Sequence, residues 1–94
     1  MAEYESMLLV NPELDEEGIE ELKARIESIV AEGKGELKKW EVWGRRKLAY
    51  SIKKQNEAIY LLMHFKGGPD VINGLKKTLK MDLNLLRYIL IRGN

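Results

Sequence analysis

The run Arg45-Arg46-Lys47 is the part of this sequence best suited to chemistry. Three consecutive cations can hold phosphate oxygens. Trp40 and Trp43 upstream and Tyr50 downstream offer flat rings on which bases could stack. On pattern alone the run is equally a solvated charged turn with its tryptophans in a core. Lys53-Lys54, Arg87 and Arg92 would extend the same basic surface if the fold gathered them.

Other residue types that carry chemistry are scarce. His64 is the single histidine and cysteine is absent. Disulfides, zinc ribbons, iron–sulfur ligation and thiol catalysis are therefore excluded, and carboxylates are left as the main metal option. A Ser-His-Asp relay would have only His64 as its base, and a lone histidine on an apolar strand reads as packed or partner-facing. Asp15-Glu16-Glu17 with Glu20-Glu21 fits helix capping better than cation binding. Gly67-Gly68 is too short to cradle a phosphate and lacks the Lys-Ser/Thr ending. Gly33-x-Gly35 runs from helix to strand, the reverse of a dinucleotide site. The residues thus point to no catalytic set, no metal and no cofactor, and the chain reads as a non-enzyme.

Something must position the basic run, and 94 residues suffice for one domain spanning 1–94. With 45% apolar and 33% charged residues, the composition suits a soluble globular fold. No apolar run reaches the roughly 18 residues of a membrane span, and no secretory leader pattern is present. The net charge of +1 conceals a division. Residues 1–32 carry ten acidic and two basic side chains, whereas residues 33–94 carry fourteen basic and five acidic ones. An acidic face and a basic face follow, and the basic one calls for a polyanion or a charged protein neighbour.

Hydrophobic periodicity supplies the elements. Glu3–Val10 reads as a strand ending in Asn11-Pro12. Asp15 caps a helix, Leu14 and Ile19 staple it, and Ile19, Leu22, Ile26, Ile29 and Val30 form its stripe. Gly33 and Gly35 end it. Glu36–Ile52 is one long strand in which Leu37 falls out of phase with Trp40, so a bulge is expected at Lys38-Lys39. A tight turn between Lys53 and Glu57, with Gln55-Asn56 at its tip, leads to the strand Ala58–Phe65. Pro69-Asp70 opens a second helix with the stripe Val71, Ile72, Leu75 and Leu79. Asp82–Asn84 turns the chain into a last strand, Leu85–Ile91.

The order βαββαβ predicts an α+β, ferredoxin-like arrangement. Four antiparallel strands carry two helices on one face, strand three lies between one and two, and strand four lies beside one. If Leu61 and Phe65 face the helices, then Tyr60, Leu62 and His64 face away, joined by Met7 and Leu9. That apolar patch is larger than a monomer usually leaves wet, so a partner is expected on it. The RNA-recognition motif shares this order, but its aromatic-rich third strand is missing here. A protein docked on the sheet, with RNA held at basic edges, fits better.

The residues Asn11-Pro12, Leu14-Asp15 and the run Trp43-Gly44-Arg45-Arg46-Lys47-Leu48-Ala49-Tyr50-Ser51-Ile52 resemble a bacterial small-subunit ribosomal protein family, S-six. Tyr4, Leu62-Met63 and Arg87 agree with it, and the likeness spans the whole chain. The resemblance implies a structural protein of the cytoplasmic ribosome, without enzymatic activity or cofactor. It would bind central-domain ribosomal RNA together with ribosomal protein S-eighteen, with RNA contacts at Arg45, Arg46, Lys47 and Arg87. It also names an occupant for the face of Met7, Leu9, Tyr60, Leu62 and His64. Three departures stand out. Ala2 replaces a common arginine, Ser51 replaces a common proline, and Arg92-Gly93-Asn94 is too short for a tail-based function. Two other readings of the fold remain open from residues alone. One is a self-associating regulatory domain. The other is a small acyl-phosphate hydrolase, which the acidic Asn11–Asp15 loop disfavours.

Overall fold

The computed structural model describes residues 1–93; Asn94, at the end of the short C-terminal segment, lies outside the described residues. Its elements are β1 (Ala2–Val10), α1 (Glu16–Glu32), β2 (Glu36–Ile52), β3 (Gln55–Gly67), α2 (Pro69–Met81) and β4 (Leu85–Arg92). The strands form one antiparallel sheet in the order β2-β3-β1-β4. This is the expected ferredoxin-like arrangement. Among the described residues, no helix is long and apolar enough to cross a membrane.

Helix α1 starts where capping chemistry requires. The Gly18 amide donates to Asp15 Oδ1 at 2.8 Å, which satisfies a first-turn N–H that would otherwise lack a partner. Leu14 packs against the core that Ile19 joins. At the other end the Gly35 amide donates to Val30 O at 2.8 Å and the Lys34 amide to Ala31 O at 2.9 Å. That pair of bonds is a Schellman cap, and it needs a left-handed residue at its turn. The glycines flank that position. Lys34 occupies it, with φ 61°. Gly35 is needed for closeness instead, because a Cβ there would collide with the Lys66 carbonyl. Lys34→Gly is therefore expected to stabilise the protein by about 0.5–1 kcal/mol. Its unfolding midpoint should rise by roughly 3–6 °C in a thermal melt.

The core lies between the sheet and the helices. Leu8, Val10, Leu61, Met63 and Phe65 from the sheet meet Ile26, Val30, Val71 and Leu75, all at most 1% exposed. Tyr4 stacks on Phe65 with ring centroids 5.4 Å apart. The predicted bulge in β2 is present: pairing with β3 skips Lys38, between Leu37 and Lys39. A second skip falls at Trp43, followed by Gly44 at φ 94°. Glycine is the residue that takes such a backbone without a side-chain clash.

The turn after β2 differs from the expectation. Ile52 pairs with Gln55, so Lys53-Lys54 form the tip, with φ 49° and 67°. Gln55 and Asn56 already belong to β3. Two left-handed residues match the right-handed twist of the strands better than a longer loop does, and geometry here overrides the turn preference of Asn56. That side chain works across the hairpin instead, accepting the Ser51 hydroxyl at 2.6 Å.

Candidate RNA and protein interface

Register fixes which residues share the open face. Leu62 lies between Glu41 and Met7, and Met7 pairs on its other side with Ile89. The next row runs Gly44, Tyr60, Leu9, Arg87, and the row on the opposite side runs Lys39, His64, Glu5, Ile91. The alternate residues Leu8, Leu61 and Met63 belong to the helix-side core. Met7, Leu9, Tyr60, Leu62 and His64 are thus gathered on one face, as the alternation required.

They do not stand equally free. The far end of the β2–β3 hairpin curls across this face and forms an arm. Leu48 and Ile52 from the arm pack against a second cluster of Leu9, Ala58 and Leu86. Lys53 Nζ donates to Leu85 O at 2.9 Å, and Arg87 Nη1 donates to the Tyr50 hydroxyl at 2.6 Å. Leu9 is consequently buried in the chain itself. A space of about 160 Å³ remains beneath the arm, bounded by Leu9, Leu48, Tyr50, Tyr60 and Arg87 among others. Met7, Leu62 and Tyr60 are half-buried, while Ile89 and Ile91 on β4 are exposed. The sequence reading missed this isoleucine pair. Their signal was the alternation Arg87, Ile89, Ile91, which puts them on one face.

At the Glu5 end the face turns polar. Lys38 Nζ lies 2.9 Å from Glu3 Oε1, and His64 Nε2 lies 3.7 Å from the same oxygen. Lys39 Nζ lies 2.8 Å from Glu41 Oε1. The Lys38 hydrogen bond and charge hold the Glu3 carboxyl below its ordinary 4.5, and Glu3 in turn raises Lys38. Lys39, then the Trp43 N–H, lower Glu41, and Glu41 raises Lys39. A lowered carboxyl contributes stability above its unfolded pKa and loses it as pH falls through the folded value. A raised lysine contributes below its unfolded pKa and loses it as pH rises through the folded one. The melting difference between wild type and Glu3→Gln is therefore expected to be flat near neutrality and to shrink below about pH 4 and above about pH 10.5. The difference itself is small, because exposed ion pairs contribute little.

The basic run divides between the two faces. Arg45 pairs with Ile59 on the helix side, where its Nη2 donates to Pro12 O at 2.7 Å. Its Nη1 lies 3.9 Å from Glu57 Oε2. Arg46 pairs with Ala58 on the open side and sits 5.4 Å over the Trp43 ring. Lys47 pairs with Glu57 on the helix side, is exposed, and has no ion-pair partner among the described residues. Because β2 is an edge strand, both sides of the run line one accessible edge. Arg87 comes from the opposite edge, and the arm brings Tyr50 to it. The two tryptophans also divide: Trp40 packs on the core, whereas Trp43 keeps an exposed ring. Among the described residues, no three His, Cys, Asp or Glu side chains are placed to share a metal ion.

A family model described as Ribosomal protein S6 matches residues 3–92. The small ribosomal subunit protein bS6 of Caldanaerobacter subterraneus subsp. tengcongensis is 39% identical over 92 residues, covering 98% of this chain and 97% of that protein. That of Syntrophomonas wolfei is 40% identical over 93 residues, covering 98% and 96%. A crystal structure of 30S ribosomal protein S6 from Thermotoga maritima superposes with a TM-score of 0.88 at 33% identity, covering 98% of this chain and 87% of that one.

Proposed function

The chain belongs to the ribosomal protein S6 family, a structural and non-enzymatic family of the small ribosomal subunit, and from that membership we propose that it binds central-domain ribosomal RNA jointly with protein S-eighteen. In this reading residues 1–94 act as one domain of the cytoplasmic ribosome. S-eighteen covers the open sheet face at Met7, Tyr60, Leu62, His64 and the exposed isoleucines of β4. Leu9 supports that surface from beneath the arm. RNA runs along the β2 edge and the arm, held by Arg46, Lys47 and Arg87. Arg45 mainly ties β2 to the β1–α1 turn.

The observation that carries the reading is the adjacency of the two surfaces. The row through Leu62 ends at Ile89 and the next row, through Leu9, ends at Arg87, whose guanidinium bonds to the arm that continues from the basic run. A protein on the face and an RNA on the arm would touch each other as well as the chain. Joint binding also answers the charge balance, since α1 is acidic and the net charge is only +1. Few phosphates are neutralised by such a domain alone.

Salt dependence tests the assignment. Each lost phosphate contact lowers the slope of log affinity against log salt by about one. Arg46→Ala, Lys47→Ala and Arg87→Ala are each expected to show that decrease when the chain and S-eighteen are titrated together onto a platform RNA fragment. Arg45→Ala is expected to lower the melting temperature and leave the slope in place. Unchanged slopes for all of Arg46, Lys47 and Arg87 would remove the RNA from this edge.

A further inference from the structure

Trp43 and Tyr50 keep 43% and 62% of their surface exposed. Neither ring is loose. The Trp43 N–H donates to Glu41 Oε2 at 2.8 Å, and Lys39 holds that same carboxylate. The Tyr50 hydroxyl accepts from Arg87 at 2.6 Å. Each ring also has an arginine over it: the Cζ of Arg46 is 5.4 Å from the Trp43 centroid, and that of Arg87 is 6.0 Å from the Tyr50 centroid. Such pairs gain from the ring quadrupole, yet both aromatic residues remain exposed to solvent.

Phosphate binding needs the cations but has no use for oriented, exposed rings. Unpaired bases do, because every base has a flat face to stack, whereas paired bases within a duplex keep theirs covered. Both rings lie on β2, seven residues apart, and so at most roughly 23 Å apart along the strand. That distance is the reach of several nucleotides. Trp40, three residues before Trp43, already fills the core position, so Trp43 is not needed there.

We propose that Trp43 and Tyr50 are stacking platforms for unpaired nucleotides, and that Arg46 and Arg87 orient these rings while contacting the neighbouring phosphates. The ligand class is single-stranded RNA, as in a loop, bulge or junction. This inference rests on the joint-binding reading and adds the mode of recognition.

The test titrates platform RNA with the chain and S-eighteen at two salt concentrations, using wild type, Trp43→Leu, Tyr50→Ala and Tyr50→Phe. The first two variants are expected to weaken RNA binding about tenfold each. Their salt slopes should not move, because a ring displaces no counterion. Tyr50→Phe keeps the ring and should keep most of the affinity. Binding to S-eighteen without RNA should be unchanged in all three. Full RNA affinity in both Trp43→Leu and Tyr50→Ala overturns the proposal. So does a matching loss of S-eighteen binding without RNA, which would make the rings a protein contact. If the wild-type pair binds no platform RNA, the joint-binding reading fails by itself, and stacking is decided with a short oligoadenylate. Fractional quenching of tryptophan emission in wild type but not in Trp43→Leu supports the platforms, and the same fractional quenching in both, or none in wild type, overturns them.

Discussion

Leu62→Asp is expected to leave the fold standing and to weaken docking of S-eighteen by at least about a hundredfold. Leu62 is half-buried at the centre of the open face, flanked in register by Glu41 and Met7. In the free chain an aspartate there stays in contact with water, so folding loses little. Under a docked protein the same carboxylate would be sealed away beside Glu41. An uncompensated buried charge costs about 3–5 kcal/mol, and about 2.7 kcal/mol corresponds to a hundredfold. A titration of the two proteins without RNA measures the effect. Undiminished affinity would place S-eighteen elsewhere on the molecule.

Phe65→Ala is expected to act in the opposite way, on the fold before the interface. Phe65 is fully buried, stacks on Tyr4, and sits on the helix side of the central strand β3. Truncating a buried phenylalanine costs about 3–5 kcal/mol through lost burial and the cavity left behind. Small domains hold only about 5–15 kcal/mol in total, so the melting temperature should fall by roughly 15–30 °C. Leu83→Ala is the control. Leu83 is 93% exposed at the tip of the α2–β4 turn, and its loss should change stability by under about 0.5 kcal/mol. A loss below about 1 kcal/mol at Phe65 would show that the core does not pack as described.

The framework was legible because its signals are local. Asp15 reads as a cap from its type and position, and its carboxylate caps Gly18. The phase slip between Leu37 and Trp40 announced the bulge at Lys38. Alternation in β3 put Tyr60, Leu62 and His64 opposite Leu61 and Phe65, and register with β1 keeps them so. What escaped depends on contacts far apart in sequence or on backbone that side-chain type does not favour. Lys34, Lys53 and Lys54 adopt left-handed backbone that usually draws Gly or Asn. The curl of the arm joins Tyr50 to Arg87 across 37 positions, and no spacing rule anticipates that. The same curl covers Leu9, which alternation alone leaves open. Three consecutive cations read as one patch, but strand geometry sends Arg45 and Lys47 to one side and Arg46 to the other.

The most direct measurement is the affinity of this chain for a platform RNA fragment, with and without S-eighteen, at two salt concentrations. Joint binding predicts tight association only when both proteins are present, with steep loss as salt rises. Equally tight binding by the chain alone, or none with S-eighteen present, would contradict it.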